Sequence, residues 1–204
     1  MPPVALQVRR ALWRPLDFGA LNSQPALEVA RSLSLQKIGR NVVNFQKMEA
    51  MLKYISTFAS LQSPISEVQE SVAQKAAEVA KRPMGRLVAE AANTLQRNLE
   101  PTQPARAVMS EAWFSYSFTI GESKEEAREW RKVMKAVVTE RNVLIHQMLA
   151  TFNPSSIESC EVLCTRLDEQ RSRIVSAYEH LESIVLAIHE SHRDLATIVD
   201  GMVD

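Results

Sequence analysis

The fold class this sequence predicts is all-α: an antiparallel helical bundle with a small β element and a long C-terminal helix. Three observations carry that expectation. Glycine occurs only 5 times in 204 residues, so few tight turns are available. Two long stretches repeat apolar residues at alternating spacings of three and four, the seam of helices that pack along their length. Prolines and capping residues fall between the periodic stretches rather than inside them.

Composition bounds the rest. Hydrophobic residues make up 46% and charged residues 24%, the balance of an ordinary globular chain. Lys+Arg and Asp+Glu both number 24, so no overall field draws in nucleic acid or anionic lipid, and such binding needs a local patch. No apolar run is long enough to span a bilayer and none has the form of a signal peptide, so no membrane partner is expected. Cys160 and Cys164 both fall in a helical pattern, which suits a reducing cytoplasm and small core residues better than a redox pair.

Residues 1–25 read as an irregular N-terminal segment broken by Pro2, Pro3, Pro15 and Pro25, with Val4, Leu6 and Val8 alternating as in a short strand. Residues 26–204 read as one helical domain. Its first helix is expected from after Pro25 to about Leu61, with the seam Ile38, Val42, Phe45, Glu49, Leu52, Ser56 and Ala59. Ser63-Pro64 reads as an N-cap followed by proline at the first helical position, opening a second helix that Pro83 ends. A third helix covers about Met84 to Leu99, and Pro101 and Pro104 open a linker. Trp113 to Ile120 alternates with period two and reads as a strand. Its expected partner is either the Val4–Val8 stretch or the same strand of a second subunit. Ser123 with Glu126 forms a capping box for a fourth helix that stops before Pro154, and Ser155 with Glu158 forms another for the last. The last seam is Ile157, Cys160, Cys164, Leu167, Arg171, Ile174, Tyr178, Leu181, Val185, Ile188, His192, Leu195 and Val199. A helix that long spans roughly 65 Å, more than a bundle of this size covers, so part of it is expected to pack on another subunit.

Most chemical motifs are absent: the sequence has no Gly-rich phosphate loop, no spaced Cys/His zinc set and no nucleophile elbow. His189 and His192, one turn apart, read as a solvated face and a seam residue rather than metal ligands. The segment Glu140 to Gln147 stands out. On a helical wheel Val133, Met134, Val137, Val138, Leu144, Ile145, Met148 and Leu149 define an apolar arc with Arg141 near its middle. A guanidinium there needs a partner or a wet cleft. Asn142 and His146 share the neighbouring face. Arg141 and His146 are about 140° apart on an ideal helix, so one site uses both only if Arg141 bends round, the helix is distorted, or a second subunit meets both faces. Glu49 is the mirror case, a carboxylate between Phe45 and Leu52 on the first seam. The two lone charges are expected to meet, either as a buried structural ion pair or as a polar site in which Glu49 orients Arg141 toward an anion.

These residues carry a resemblance. Arg141-Asn142-Val143-Leu144-Ile145-His146 resembles the Arg-polar-x-x-x-His motif of the HEPN superfamily, all-helical bundles that include many metal-independent ribonucleases and toxins and that usually dimerise. Ile38-Gly39-Arg40-Asn41-Val42-Val43-Asn44-Phe45-Gln46-Lys47-Met48-Glu49, the Trp113–Ile120 strand and the motif occur in an order that resembles the bacterial helical domain found beside OST-HTH (LOTUS) RNA-binding modules. The likeness covers residues 35–180, and no such module follows. Met148 stands where toxins of the Arg-x4-His-x-Tyr type carry tyrosine. The resemblance implies RNA cleavage by Arg141, Asn142 and His146, with Glu49 and Gln147 binding or orienting the substrate. It implies no metal and no cofactor, and as partners a second copy of the chain, RNA, and a partner protein of antitoxin type. The alternative is a non-catalytic helical module that binds RNA or protein and keeps the motif as a structural polar cluster.

Overall fold

The computed structural model describes residues 18–96, 112–119 and 124–203, with side-chain surroundings for 24–95, 112–119 and 125–195. Helix α1 covers Phe18–Phe58, strand β1 Ser60–Pro64 and a 3-10 turn Ile65–Glu67. Helices α2 (Val68–Ala80) and α3 (Met84–Gln96) follow, then strand β2 (Trp113–Ser117). Helix α4 (Lys124–Val143) runs through a π-helical turn, Leu144–Met148, into the short α5 (Leu149–Thr151), and α6 occupies Ile157–Val203. The fold is all-α with one small sheet and a long C-terminal helix. Among the described residues no helix is long and apolar enough to cross a membrane.

Helix α1 departs from the expected start. It begins at Phe18 and carries Pro25 inside it. Pro25 is exposed, and its missing N–H costs the helix one i→i−4 hydrogen bond. The expected N-cap at Ser63-Pro64 is also corrected. Both residues belong to β1, and α2 starts at Val68. Proline at a strand end is tolerated because its missing N–H is not needed by a neighbour. The partner of β2 is β1, antiparallel, from Ser60 opposite Ser117 to Pro64 opposite Trp113. The Val4–Val8 stretch, one expected partner, lies outside the described residues. The Ser123 capping box lies outside them too. At α6 the cap falls one residue late: Ser156 Oγ accepts the Ser159 amide at 3.2 Å, while Ser155 N–H donates to Asn153 Oδ1 at 3.0 Å.

Helices α1 and α6 form the backbone of the molecule and run in the same direction, with Arg31 reaching Pro154 O, Ser34 reaching Cys160 O and Asn41 reaching Leu167 O. Helix α4 is antiparallel to α6, since Trp130 and Met134 share a groove with Ala177 and His180, Glu140 meets Gln170 and Arg173, and the residues just after α4, Gln147 and Met148, share a groove with Arg166. The two heptad seams are real, but each is displaced on one side. In α6 the row Cys160, Leu167, Ile174, Leu181, Ile188 is buried as expected. The second row is Leu163, Gln170, Ala177 and Ile184, whereas Arg171 is exposed and Tyr178 and Val185 are half-buried. In α1, Phe45 and Leu52 are buried with Asn41, Met48 and Ile55, as is Ala59 just past its end, and Glu49 is pushed toward the edge. An apolar stripe wider than a strict coiled-coil seam has a flank on either side of its central row, and the neighbouring helices decide which flank is covered.

Candidate active site

Helix α4, packed on α3 and α6, buries Met134 and Val137, and the π-turn that follows buries Leu144 and Met148. Val133 and Ile145, expected inside the apolar arc, are exposed at 40% and 36%. The true centre of the arc is the row Met134, Val137, Arg141, Leu144, Met148. Arg141 occupies it but is only half-buried. The guanidinium Nη1 donates to Asn142 Oδ1 at 3.1 Å, and among the described residues it makes no ion pair.

The expected meeting of Glu49 and Arg141 does not occur. Glu49 Oε1 accepts from Lys53 Nζ at 2.8 Å, one turn along its own helix. The seam displacement explains this: with Met48 facing the core, Glu49 faces sideways within reach of Lys53. Glu49 therefore neither forms a buried pair nor orients Arg141 here.

Directly after Arg141 the helix widens. The Leu149 amide bonds Leu144 O, closing a turn over five residues. Such a turn advances each residue by less than an α-turn does, so the roughly 140° between Arg141 and His146 on an ideal helix narrows. Distortion of the helix was one of the conditions for the two to serve one site. Asn142, His146 and Gln147 are all exposed. Gln147 lines a groove of about 460 Å³ with Arg166, Glu169 and Arg173 of α6. Arg141 and His146 lie outside that lining, so the structure groups Gln147 with cations of α6 rather than with the motif's own pair.

Behind the motif lies a polar network that reading the sequence missed. Gln170, fully buried, donates through Nε2 to Glu140 O at 2.8 Å and Glu140 Oε2 at 3.2 Å, and its Oε1 accepts from Asn41 Nδ2 at 3.1 Å. Asn41, also buried, donates to Leu167 O at 2.8 Å. Arg173 grips the same carboxylate in fork fashion, Nε at 2.6 Å and Nη2 at 3.2 Å. Burial alone would raise the Glu140 carboxyl, but the bonds from Arg173 and Gln170 and the Arg173 charge outweigh it and hold the group below its ordinary value. The network ties α1, α4 and α6 at the residue preceding Arg141. Asn41 was visible as part of the Arg40-Asn41 stretch. Gln170 left no signal, because a glutamine among charged residues reads as surface.

The remaining titratable candidates are placed elsewhere. His192 packs its ring edge-on to Tyr116, centroids 4.5 Å apart, and to Phe58 at 6.1 Å. Burial lowers its pKa, with a bond to the Phe58 backbone acting the other way and His189 adding to the lowering. Cys160 and Cys164 are buried free thiols, with Ser34 Oγ 3.5 Å from Cys164 Sγ. No family model, no curated protein and no solved structure matches this chain.

Proposed function

We propose that this chain is a metal-independent endoribonuclease of HEPN type that works as a homodimer. The observation that carries the reading is Arg141: a cation in the central apolar row of its helix, left without an ion pair among the described residues, beside a π-turn next to exposed His146. π-Turns are costly to keep and concentrate at functional sites. A cation held on an apolar row, with one N–H on Asn142 and no carboxylate partner among the described residues, suits an incoming anion.

The chemistry needs no external nucleophile. The RNA 2′-oxygen attacks the adjacent phosphorus as a P–O2′ bond forms and the P–O5′ bond breaks. One imidazole takes the 2′-hydroxyl proton, and a protonated imidazole returns one to the leaving 5′-oxygen. His146 is the motif's proton carrier, and a second copy supplies a second imidazole. Arg141 holds the phosphoryl oxygens through paired donors, and Asn142 steadies its head through the bond at 3.1 Å. Gln147 and the α6 arginines of its groove bind flanking phosphates. Val29, Leu33 and Val43, all exposed, lie within roughly 40° of a single stripe of α1 and offer apolar surface to a second copy.

The test is incubation of the purified protein with mixed RNA in EDTA, against the Arg141→Ala/His146→Ala double variant. Cleavage by the wild type alone is expected. RNA left intact across pH, sequence and protein concentration overturns the enzyme reading. A second reading then stands, a non-catalytic module that binds RNA or an antitoxin-type protein. It is favoured by the fact that Arg141 and His146 do not line the groove that holds Gln147.

A further inference from the structure

A second polar site lies at another part of the molecule, between the end of α1 and the α2–α3 pair. There Ser56, Ser60, Lys75, Arg82, Arg86, Glu90, Asn93 and Thr94 enclose a cleft of about 870 Å³, a size that fits a small metabolite. Arg86, Glu90, Asn93 and Thr94 share one face of α3 by their spacing, and Lys75 faces them from α2. The cleft holds three cations and one carboxylate. Glu90 is bound to Arg82, which also meets Glu78 at 3.5 Å. With Glu78 counted, three cations face two carboxylates, so the cluster keeps one net positive charge, and Arg86 makes no ion pair among the described residues.

Lys75 and Arg86 each have donors to spare. Lys75 is half-buried and spends one N–H on the Ser60 carbonyl. Burial lowers its pKa, the Glu90 charge raises it and Arg82 adds to the lowering, so a bound anion would suit it. Arg86 is exposed and has no side-chain partner among the described residues. The decisive feature is Ser56: it lines the cleft, is 1% exposed, and its buried hydroxyl has no hydrogen-bond partner among the described residues. An unpaired buried hydroxyl costs stability unless a ligand or water meets it.

We propose that this cleft binds a phosphate monoester of nucleotide or sugar-phosphate size. The cluster's net positive charge and the free guanidinium of Arg86 favour an anion, and such a group carries about −1.5 to −2 at neutral pH. Ser56 and Thr94 supply hydroxyls, and Asn93 keeps its amide N–H free, its Oδ1 being taken by Arg131 Nη2 at 2.7 Å. Ala89 is the sole apolar side chain of the lining, which disfavours an acyl chain or a hydrophobic peptide. The site is independent of the proposed ribonuclease face: Arg131, which bonds Asn93 of the lining, and His146 are separated by roughly 20 Å along the chain of α4 and the π-turn.

The test titrates the full chain with inorganic phosphate, ribose 5-phosphate and AMP at constant ionic strength, read by amide NMR shifts and calorimetry. Saturable shifts are expected at Ser56, Lys75, Arg86 and Thr94. Stronger binding of ribose 5-phosphate than of inorganic phosphate marks a sugar-phosphate site, and a further gain with AMP marks a nucleotide site. Arg86→Ala removes an exposed, unpartnered side chain and should leave melting unchanged while weakening binding about tenfold or more. Ser56→Ala should weaken it as well. Absence of saturable shifts with all three probes, or unchanged affinity in Arg86→Ala, overturns the proposal. RNA cleavage by the same preparation is unaffected by either result.

Discussion

Gln170→Leu tests whether the network behind Arg141 holds the bundle together. Leucine keeps nearly the volume of glutamine, so the substitution removes hydrogen bonds without opening much of a cavity. Three bonds go: two to Glu140, one of them to its carboxylate, and one from Asn41. At about 1 kcal/mol for each neutral bond and about 1.5 for the charged one, the gross loss is roughly 3–4 kcal/mol. Asn41 keeps the Leu167 carbonyl and Glu140 keeps Arg173, so no buried charge is stranded. Added apolar burial offsets about 1 kcal/mol, leaving a net loss of roughly 2–3. Gln170→Ala adds a cavity and should cost about 1–2 kcal/mol more. Urea unfolding followed by circular dichroism reads both variants as a lower midpoint at unchanged slope. A Gln170→Leu protein within about 0.5 kcal/mol of wild type, or more stable, would show that the network specifies helix register without stabilising the fold.

Four further outcomes are expected. His146→Ala should lower RNA cleavage by about 10²–10⁴-fold while shifting stability by less than about 0.5 kcal/mol, since the side chain is exposed; parallel kinetics and melting curves check both. Because the folded Glu140 carboxyl is held below its ordinary 4.5, its contribution is complete above that pH and is lost as pH falls from there through the lower folded value; Glu140→Gln should flatten that acid limb, and a limb unchanged in acid titration counts against the assignment. Glu49→Ala removes a single i,i+4 pair at the helix edge and should cost no more than about 0.5 kcal/mol in chemical denaturation. Light scattering at micromolar concentration should give twice the 22.9 kDa chain mass, and a monomer mass there ends the dimer proposal.

Much of the fold was legible because long helices write their packing into the chain at short range. The helix class, a period-two stretch at Trp113–Ile120 whose strand covers Trp113–Ser117, and the row Cys160, Leu167, Ile174, Leu181, Ile188 follow from local spacing alone. So does the oddity of Arg141, a cation where its neighbours are apolar. A residue's own neighbours in sequence carry that information, because a helix and a strand each repeat over a few residues.

Tertiary structure decided what local spacing leaves open. Each heptad seam has two flanks, and only the position of the facing helix chose Gln170 over Arg171 in α6 and Met48 over Glu49 in α1. That choice of one residue dissolved the expected Glu49–Arg141 pair and gave Glu49 to Lys53. Strand pairing joined β2 to a stretch more than forty residues upstream, in place of a helix cap at Ser63-Pro64. The Gln170 network and the cleft at Ser56 each draw on helices far apart in the chain. Hydrogen bonds and charges act over a few ångströms, and which groups come within that reach is settled by how the helices pack.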